Sequence, residues 1–445
     1  MWEYYHGKVL FITGSSGFLG TALVHRIITQ TSPAHIYLLC RGLSRLHEQW
    51  QQYLPPKIAQ ALADPTLVTP IQGDILKPNM GISEHELVTV RERVNIIIHA
   101  ASSINLVQPL HRISDVVTGA TQRIAGLALT CDRLDRFVYV STAYCNSHLH
   151  KETDKTEVHI DERFYPLKPS VRSPWAEWED LRETGSSVEF KSQDFAWPYS
   201  YAKHLAERLL NGMLCHQAQK LLIVRPSIIG PAQQFPYPGF SISSSTPTTI
   251  AAASLIFMPS TTFKVGTRSA NPDRECTLDE VSVDVVVDRL LAHLAKGSAG
   301  IVHAVSGEHG RVLTKSIFDA IVRARRIPWH IEPIWTSQDW HSPDLHPVAR
   351  LYKILGTSFN FKETKTERIW GRLEERERRG LQLFQARAVG QYDFSPRLEQ
   401  ISATAWELLR RILRSKYRSC RSVIWRSIRS IAVLVLLLLC AFRYF

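Results

Sequence analysis

Tyr199-Ser200-Tyr201-Ala202-Lys203 sets a phenol and an ammonium four residues apart, which on a helix means one face and one turn. A nearby ammonium lowers a phenol's pKa, and the phenol can then hand a proton to a carbonyl oxygen as hydride arrives at the carbon. Tyr201 rivals Tyr199 by type, but it lies two residues from Lys203 and would face away from it. Such a pair is common on ordinary helices, so its neighbours decide its weight. Ser141-Thr142 follow directly on the apolar run Arg136–Val140. Hydroxyls at the carboxyl end of a parallel strand stand where α/β folds place their sites, and one can hold a substrate oxygen beside the tyrosine.

A second constellation lies near the N-terminus. Thr13-Gly14-Ser15-Ser16-Gly17-Phe18-Leu19-Gly20 closes the apolar run Lys8–Thr13 and opens a stretch with apolar residues at helical spacing. The first glycine permits a tight turn, the second lets backbone approach a pyrophosphate, and the third lets the helix pack on the strand. The anion then sits at the helix N-terminus, so the turn reads as a dinucleotide site. An acidic side chain closing the next strand would accept from the ribose of NAD. This chain has Arg41, with Arg45 close behind, and a guanidinium suits the 2′-phosphate of NADP. The alternative is a solvated arginine after a strand; NADPH is the expected cofactor. Asp74, after the run Val68–Gly73, reads either as a hydrogen-bond partner of the adenine or as a helix N-cap.

These residues need a frame. Lys8–Thr13, His35–Cys40, Val68–Gly73, Val94–His99, Arg136–Val140 and Leu221–Arg225 are apolar throughout, as strands covered on both faces are. Amphipathic helical stretches lie between them, around Glu84–Arg91, Arg112–Leu129 and Tyr201–Gln217. Repetition of strand and helix predicts an α/β fold with a Rossmann-type, doubly wound parallel sheet. Phe235–Thr249, rich in Pro, Gly, Ser and Thr, reads as a loop. Val281–Leu294 reads as a helix, Ile301–Val305 as a strand, and residues 315–420 as mostly helical. The expected domains are 1–310 for the dinucleotide-binding reductase core, 311–420 for a smaller helical domain and 421–445 for a tail.

The net charge of +12 in 445 residues first points to nucleic acid or a membrane surface. Residues 410–445 hold nine Lys/Arg and no Asp/Glu, so the excess sits in the tail and nucleic acid is not expected. Ile431–Phe442 is twelve apolar residues beside Arg443, about 18 Å of helix against a hydrocarbon core of about 30 Å. That length also suits a buried helix. The basic cluster Arg410 to Arg429 favours anionic headgroups on the cytoplasmic side. Seven scattered cysteines without CxxC spacing fit a reducing compartment, and no metal site is expected. Met1–His6 lacks a charged n-region followed by an apolar core, so no secretory signal is expected.

Glycine turn, strand-end hydroxyl and Tyr-x-x-x-Lys come in the order and approximate spacing of the extended short-chain dehydrogenase/reductases, which the chain resembles. Within them it is similar to the fatty acyl-CoA reductases, the alcohol-forming, male-sterility type. The matching stretches include Thr13–Gly20, Ile36–Arg41, Gly73–Ile75, Ile97–Ala101, Val140–Asn146, Tyr199–Glu207 and Val224–Pro231. Val140-Ser-Thr-Ala-Tyr-Cys-Asn146 is the most specific, and the likeness covers about residues 7–310. The resemblance implies reduction of a long-chain acyl-CoA by NADPH, through a thiohemiacetal and an aldehyde, to a primary alcohol. It implies Tyr199 as acid, Lys203 as its partner, and Thr142 or Ser141 as the strand-end hydroxyl. Thr142 is preferred because in related extended members the second position of the pair usually does the work. For the cofactor it implies Thr13, Gly14, Ser16, Gly17, Phe18, Leu19 and Gly20, with Arg41, Asp74, Ile75, Ala100, Tyr199 and Lys203. A membrane-associated enzyme with a cytosolic catalytic domain, at the endoplasmic reticulum or peroxisome and not secreted, is expected. The other readings are a reductase of acyl thioesters on an acyl carrier protein, a sugar epimerase or sterol dehydrogenase on the same fold and, outside catalysis, a dinucleotide-sensing or membrane-scaffold protein.

Overall fold

Apolar runs without alternation become strands buried on both faces. The computed structural model describes the chain apart from residues 153–155, 169–171, 243, 257–261, 325–330, 386–394 and 420–445. Seven strands are β1 (Val9–Thr13), β2 (His35–Cys40), β3 (Val68–Gln72), β4 (Ile96–His99), β5 (Arg136–Val140), β6 (Leu221–Pro226) and β7 (Gly300–Ala304). They pair in parallel throughout, in the order β7-β6-β5-β4-β1-β2-β3. This is a Rossmann-type sheet. Every residue of β1, β2, β4, β5 and β6 is buried. The edge strand β3 is only partly buried and carries Pro70, whose missing N–H costs least at an edge.

Successive residues point to opposite faces, and each face has its own core. Leu10, Ile12, Ile98 and Val138 pack with Leu23 and Ile27 of α1 (Phe18–Gln30) and with Val286 and Leu290 of a later helix, Val283–Ala295. Val9, Phe11, Ile97, Phe137 and Tyr139 pack on the other face, with Ala202, Ala206 and Leu210 of α2 (Pro198–Met213). Pro198 opens α2 at its first turn, where its fixed φ suits a helix and its missing N–H leaves no bond unmade. The helix expected over Arg112–Leu129 is interrupted. A π-helical turn, Asp115–Gly119, separates Leu110–Ser114 from Ala120–Leu129. The strand order reverses between β1 and β4, and in such sheets the ligand crevice lies outside the carboxyl ends at that point.

The chain divides into two compact units. One comprises Met1–Ile242, Asp279–Arg311 and Phe359–Arg387, and the other the remaining stretches Ser243–Leu278, Val312–Ser358 and the part from Ala388. By this division 243–278 belongs with 312–358, and 359–387 with the unit that holds the seven-stranded sheet. Long-range pairing is the reason. In the second unit Thr262–Gly266 pairs in parallel with Glu332–Thr336, and Thr277–Leu278 antiparallel with Val312–Leu313. In the first, Arg289 pairs with Glu363 at 2.5 Å and Ser282 N donates to Gln385 Oε1 at 2.9 Å. Among the described residues, 315–420 is mostly helical, as expected, but not wholly so. It holds the helices Thr314–Ala324, Thr364–Arg372 and Leu398–Ser419 but also the strands Glu332–Thr336 and Ser358–Phe361. The expected loop 235–249 gives way to a helix at Pro247. Among the described residues no helix is long and apolar enough to cross a membrane; the tail, 421–445, lies outside them.

Candidate active site

β1 ends at Thr13, and the chain must turn at once. Gly14 has φ +81°, and a Cβ there would stand 2.6 Å from Ala101 N and 2.8 Å from Ala100 C. Only glycine lets the turn lie so close to the chain leaving β4. Gly17 N donates to Gly14 O at 2.9 Å, closing the turn, and Gly17 is the N-cap of α1. A Cβ on Gly20 would reach 2.0 Å from Gly14 O, so the helix packs directly on the turn. No side chain caps α1 and no acid lies in its first turn. Its free N–H groups, with the positive end of the helix dipole, suit a pyrophosphate. The cradle that a Cβ would fill and the uncapped helix end both fit a dinucleotide.

A cleft of roughly 500 Å³ opens beside this turn, within the usual range for ligand sites. Thr13, Gly14, Ser16 and Gly17 form its floor, Arg41, Arg45 and Gln49 one side, and Asp74, Ile75 and Ala100 another. Arg41 and Arg45 are exposed, as phosphate-binding guanidinium groups can be. Asp74 lines the cleft while its Oδ1 accepts Leu76 N at 3.0 Å, so one carboxylate oxygen caps a turn. Phe18 and Leu19 are placed differently from the rest. Their side chains are buried in the core under α1, leaving only their backbone N–H groups for a ligand. Gln49, not singled out from sequence, donates its side-chain amide to Ser16 O and ties the Arg45-bearing helix to the glycine turn.

The second constellation assembles at the end of β5. Ser141 N donates to Val224 O at 2.7 Å, while the buried Ser141 Oγ has no hydrogen-bond partner among the described residues. Thr142 caps the following 3-10 segment, its Oγ1 accepting Tyr144 N at 3.3 Å. Lys203, buried on α2, donates to Val140 O at 2.8 Å, one residue before Ser141. Its ammonium lies 5.9 Å from the centre of the Tyr199 ring. The structure thus brings Lys203, Tyr199 and the Ser141-Thr142 strand end to one place. Tyr201 points elsewhere, bonded to Glu177 Oε1 and Ser187 Oγ at 2.5 Å each.

Burial dominates the electrostatics. It pulls the Lys203 ammonium down to about 7, with the Glu207 carboxylate partly offsetting it. It also holds the Tyr199 phenol above its ordinary value, so the lowering expected from the ammonium is outweighed. Tyr199 therefore carries its proton at neutral pH and is set to donate rather than accept. Among the described residues no cluster of His, Cys, Asp or Glu could hold a metal ion.

The family model for male sterility protein, an NAD-binding family, matches residues 12–290. Fatty acyl-CoA reductase 2 of Homo sapiens is 28% identical over 303 residues, covering 65% of this chain and 55% of that protein. Fatty acyl-CoA reductase 2 of Mus musculus is 29% identical over 325 residues, covering 68% and 59%. The chain thus spans little more than half the length of these relatives. In fold it is similar to the reductase (R) domain of a nonribosomal peptide synthetase from Mycobacterium tuberculosis, at 17% identity and a TM-score of 0.59, over 90% of this chain and 92% of the other. The UDP-Glc/GlcNAc 4-epimerase from Campylobacter jejuni superposes with a TM-score of 0.52 at 15% identity, over 91% and 100%. The cofactor is a nicotinamide dinucleotide. A match over more than half of the chain, on a sheet of this topology, makes the protein a member of the male sterility family within the extended short-chain dehydrogenase/reductases.

Proposed function

We propose that the protein reduces a long-chain fatty acyl-CoA thioester with NADPH, through an aldehyde, to a primary alcohol. One observation carries this reading: a buried ammonium, Lys203, bonded to Val140 O just ahead of the Ser141-Thr142 pair and 5.9 Å from the Tyr199 ring, in a chain related to fatty acyl-CoA reductases. A dinucleotide with its pyrophosphate at the glycine turn would supply the hydride from its nicotinamide end. The chain's own residues do the rest. The first-turn N–H groups of α1 receive the pyrophosphate, and Arg41 with Arg45 receives the 2′-phosphate. Thr142, or Ser141 beside it, donates a hydrogen bond to the thioester carbonyl oxygen. Tyr199 gives that oxygen its proton as negative charge develops, and the Lys203 ammonium stabilises the phenolate left behind. Collapse of the thiohemiacetal expels the thiol and leaves an aldehyde, which the same groups serve in a second reduction.

The proposal extends to place. The basic cluster ahead of Ile431–Phe442 supports docking of the tail on an anionic membrane, with the catalytic unit on the cytosolic side of the endoplasmic reticulum or peroxisome. An acyl substrate that partitions into lipid suits that arrangement.

Turnover tests the substrate. NADPH oxidation on adding palmitoyl-CoA to the full chain is the expected result. Activity only with the same chain on a phosphopantetheinyl carrier would overturn the choice of CoA ester. The cofactor assignment has its own check. Arg41→Ala should weaken NADPH binding about tenfold, the worth of one exposed charge-assisted contact, and leave NADH affinity within about twofold. Fluorescence titration with both nucleotides reads this, and an unchanged NADPH affinity would remove Arg41 from the 2′-phosphate.

A further inference from the structure

Thr13, His99 and Tyr139 are cross-strand partners, Thr13↔His99 and His99↔Tyr139. They form one row across β1, β4 and β5, on the face that α2 covers. The row begins at the glycine turn and ends under the catalytic lysine.

One histidine tautomer satisfies every hydrogen bond along the row. Thr121 Oγ1 donates to Val117 O at 2.6 Å, so its lone pair receives the His99 Nε2–H at 3.3 Å. His99 Nδ1 then accepts from the Thr13 hydroxyl at 2.8 Å, and Thr13 Oγ1 in turn accepts Ala101 N at 3.2 Å. Burial, with the Lys203 charge adding to it, pushes His99 down to about 3, so the ring is neutral, in the Nε2–H form. This clamped imidazole lies 5.7 Å, centroid to centroid, from the Tyr139 ring at an interplanar angle of 23°. The Lys203 ammonium stands 4.7 Å from the centre of the Tyr139 ring.

A buried ammonium needs more than one carbonyl to keep its charge. Of the groups around Lys203, the Glu207 carboxylate on its own helix is engaged by Arg225 of β6 at 3.0 and 2.5 Å and by the Cys145 thiol at 3.4 Å. Cys145, Tyr199 and Tyr139 are buried with their protons held, His99 is neutral, and Arg225 is itself a cation. Two ring faces remain to receive the charge, and that of Tyr139, at 4.7 Å, is nearer than that of Tyr199, at 5.9 Å.

We propose that Tyr139 is a positioning residue of the reaction: its ring face holds the Lys203 ammonium, and His99, fixed between Thr13 and Thr121, holds the ring. The row thereby ties the lysine to the turn that seats the dinucleotide. This rests on reading Lys203 as the partner of Tyr199. The test reads the lysine itself, so it stands apart from the choice of substrate.

Full-length protein labelled with [ε-¹³C]lysine is titrated by NMR, with the Lys203 resonance assigned from Lys203→Arg. Position 139 carries tyrosine, phenylalanine, or phenylalanine with increasing ring fluorination. Fluorine drains the ring's negative face with little change of shape, so every protein in the series keeps the packing. Tyr139→Phe should keep the Lys203 midpoint within a few tenths of a unit. Fluorination should lower it stepwise, by about one unit over the series, because the protonated form loses its support. The alkaline limb of kcat should move down with it while NADPH affinity stays unchanged. A midpoint constant through the series would overturn the proposal. Absence of turnover with every acyl-CoA, with the midpoint still falling, would sink the substrate reading and leave this one standing.

Discussion

Replacing Tyr199 with phenylalanine is expected to cut reduction of the acyl thioester about a thousandfold, the middle of the range for loss of a positioned general acid. The change removes one oxygen and leaves the ring that packs against the β5 core and faces Lys203. NADPH affinity should therefore stay within about twofold, since the glycine turn and Arg41 are untouched, and the fold should be unaffected. The expected split is in kcat, because the proton is delivered only as the carbonyl oxygen gains charge. Steady-state kinetics with a titration of NADPH fluorescence separates the two quantities. Substantial residual turnover would take Tyr199 out of the acid role. Tyr201 could not inherit it, since its hydroxyl is bonded to Glu177 and Ser187 in a different cluster.

Gly20→Ala is expected to do comparable damage by another route. The added Cβ would stand 2.0 Å from Gly14 O and 2.8 Å from Ser15 Cα, and both are backbone atoms that no rotamer change can move aside. Either α1 lifts off the turn or the turn deforms, at a cost of about 3 kcal/mol, near the upper end for overpacking. Both responses displace the N–H groups that receive the pyrophosphate, so dinucleotide affinity should fall at least about a hundredfold, as a lost helix-terminus anion site implies. Gly126→Ala is the control. That glycine lies inside a helix with nothing near its missing Cβ, so alanine should be neutral or slightly stabilising. Thermal unfolding and calorimetric titration read both variants. Normal NADPH binding by a folded Gly20→Ala protein would show that the turn is not where the pyrophosphate sits.

Much of the first unit was legible because its strands are unusual as sequence. A parallel strand covered on both faces is apolar at nearly every position, and Val9–Thr13, Ile96–His99 and Arg136–Val140 are so clearly bounded that they fall within two residues of the expected runs. The glycine turn was legible for a related reason: three glycines are steric requirements, and the distances at Gly14 and Gly20 show why. The strand pairs of the second unit were not legible. Glu332–Thr336 finds its partner in Thr262–Gly266, and no local period encodes a pairing across that separation. The π turn at Asp115–Gly119 was hidden as well, because it keeps the helical pattern while shifting phase. It has consequences for the site, since Val116 lines the cleft and Thr118 Oγ1 donates to Ala202 O at 3.0 Å, beside Lys203.

In the site itself, residue type was easier to read than environment. Spacing alone placed Tyr199 and Lys203 together, but it predicted a phenol made more acidic, whereas burial makes it hold its proton more firmly. His99 and Tyr139 were passed over because each looks like part of an apolar run. The available signal was a polar side chain at or near the carboxyl end of a fully buried strand, where a hydrogen bond or a charge must account for it.

Four-electron reduction of an acyl-CoA at this one site consumes two NADPH for each thiol released. The most direct measurement follows NADPH loss and CoA release together when the full-length protein is given palmitoyl-CoA, with analysis of the lipid product. Two NADPH should be oxidised for each CoA released, with hexadecanol as the product. NADPH bound but not oxidised, with no CoA released, would contradict that reduction.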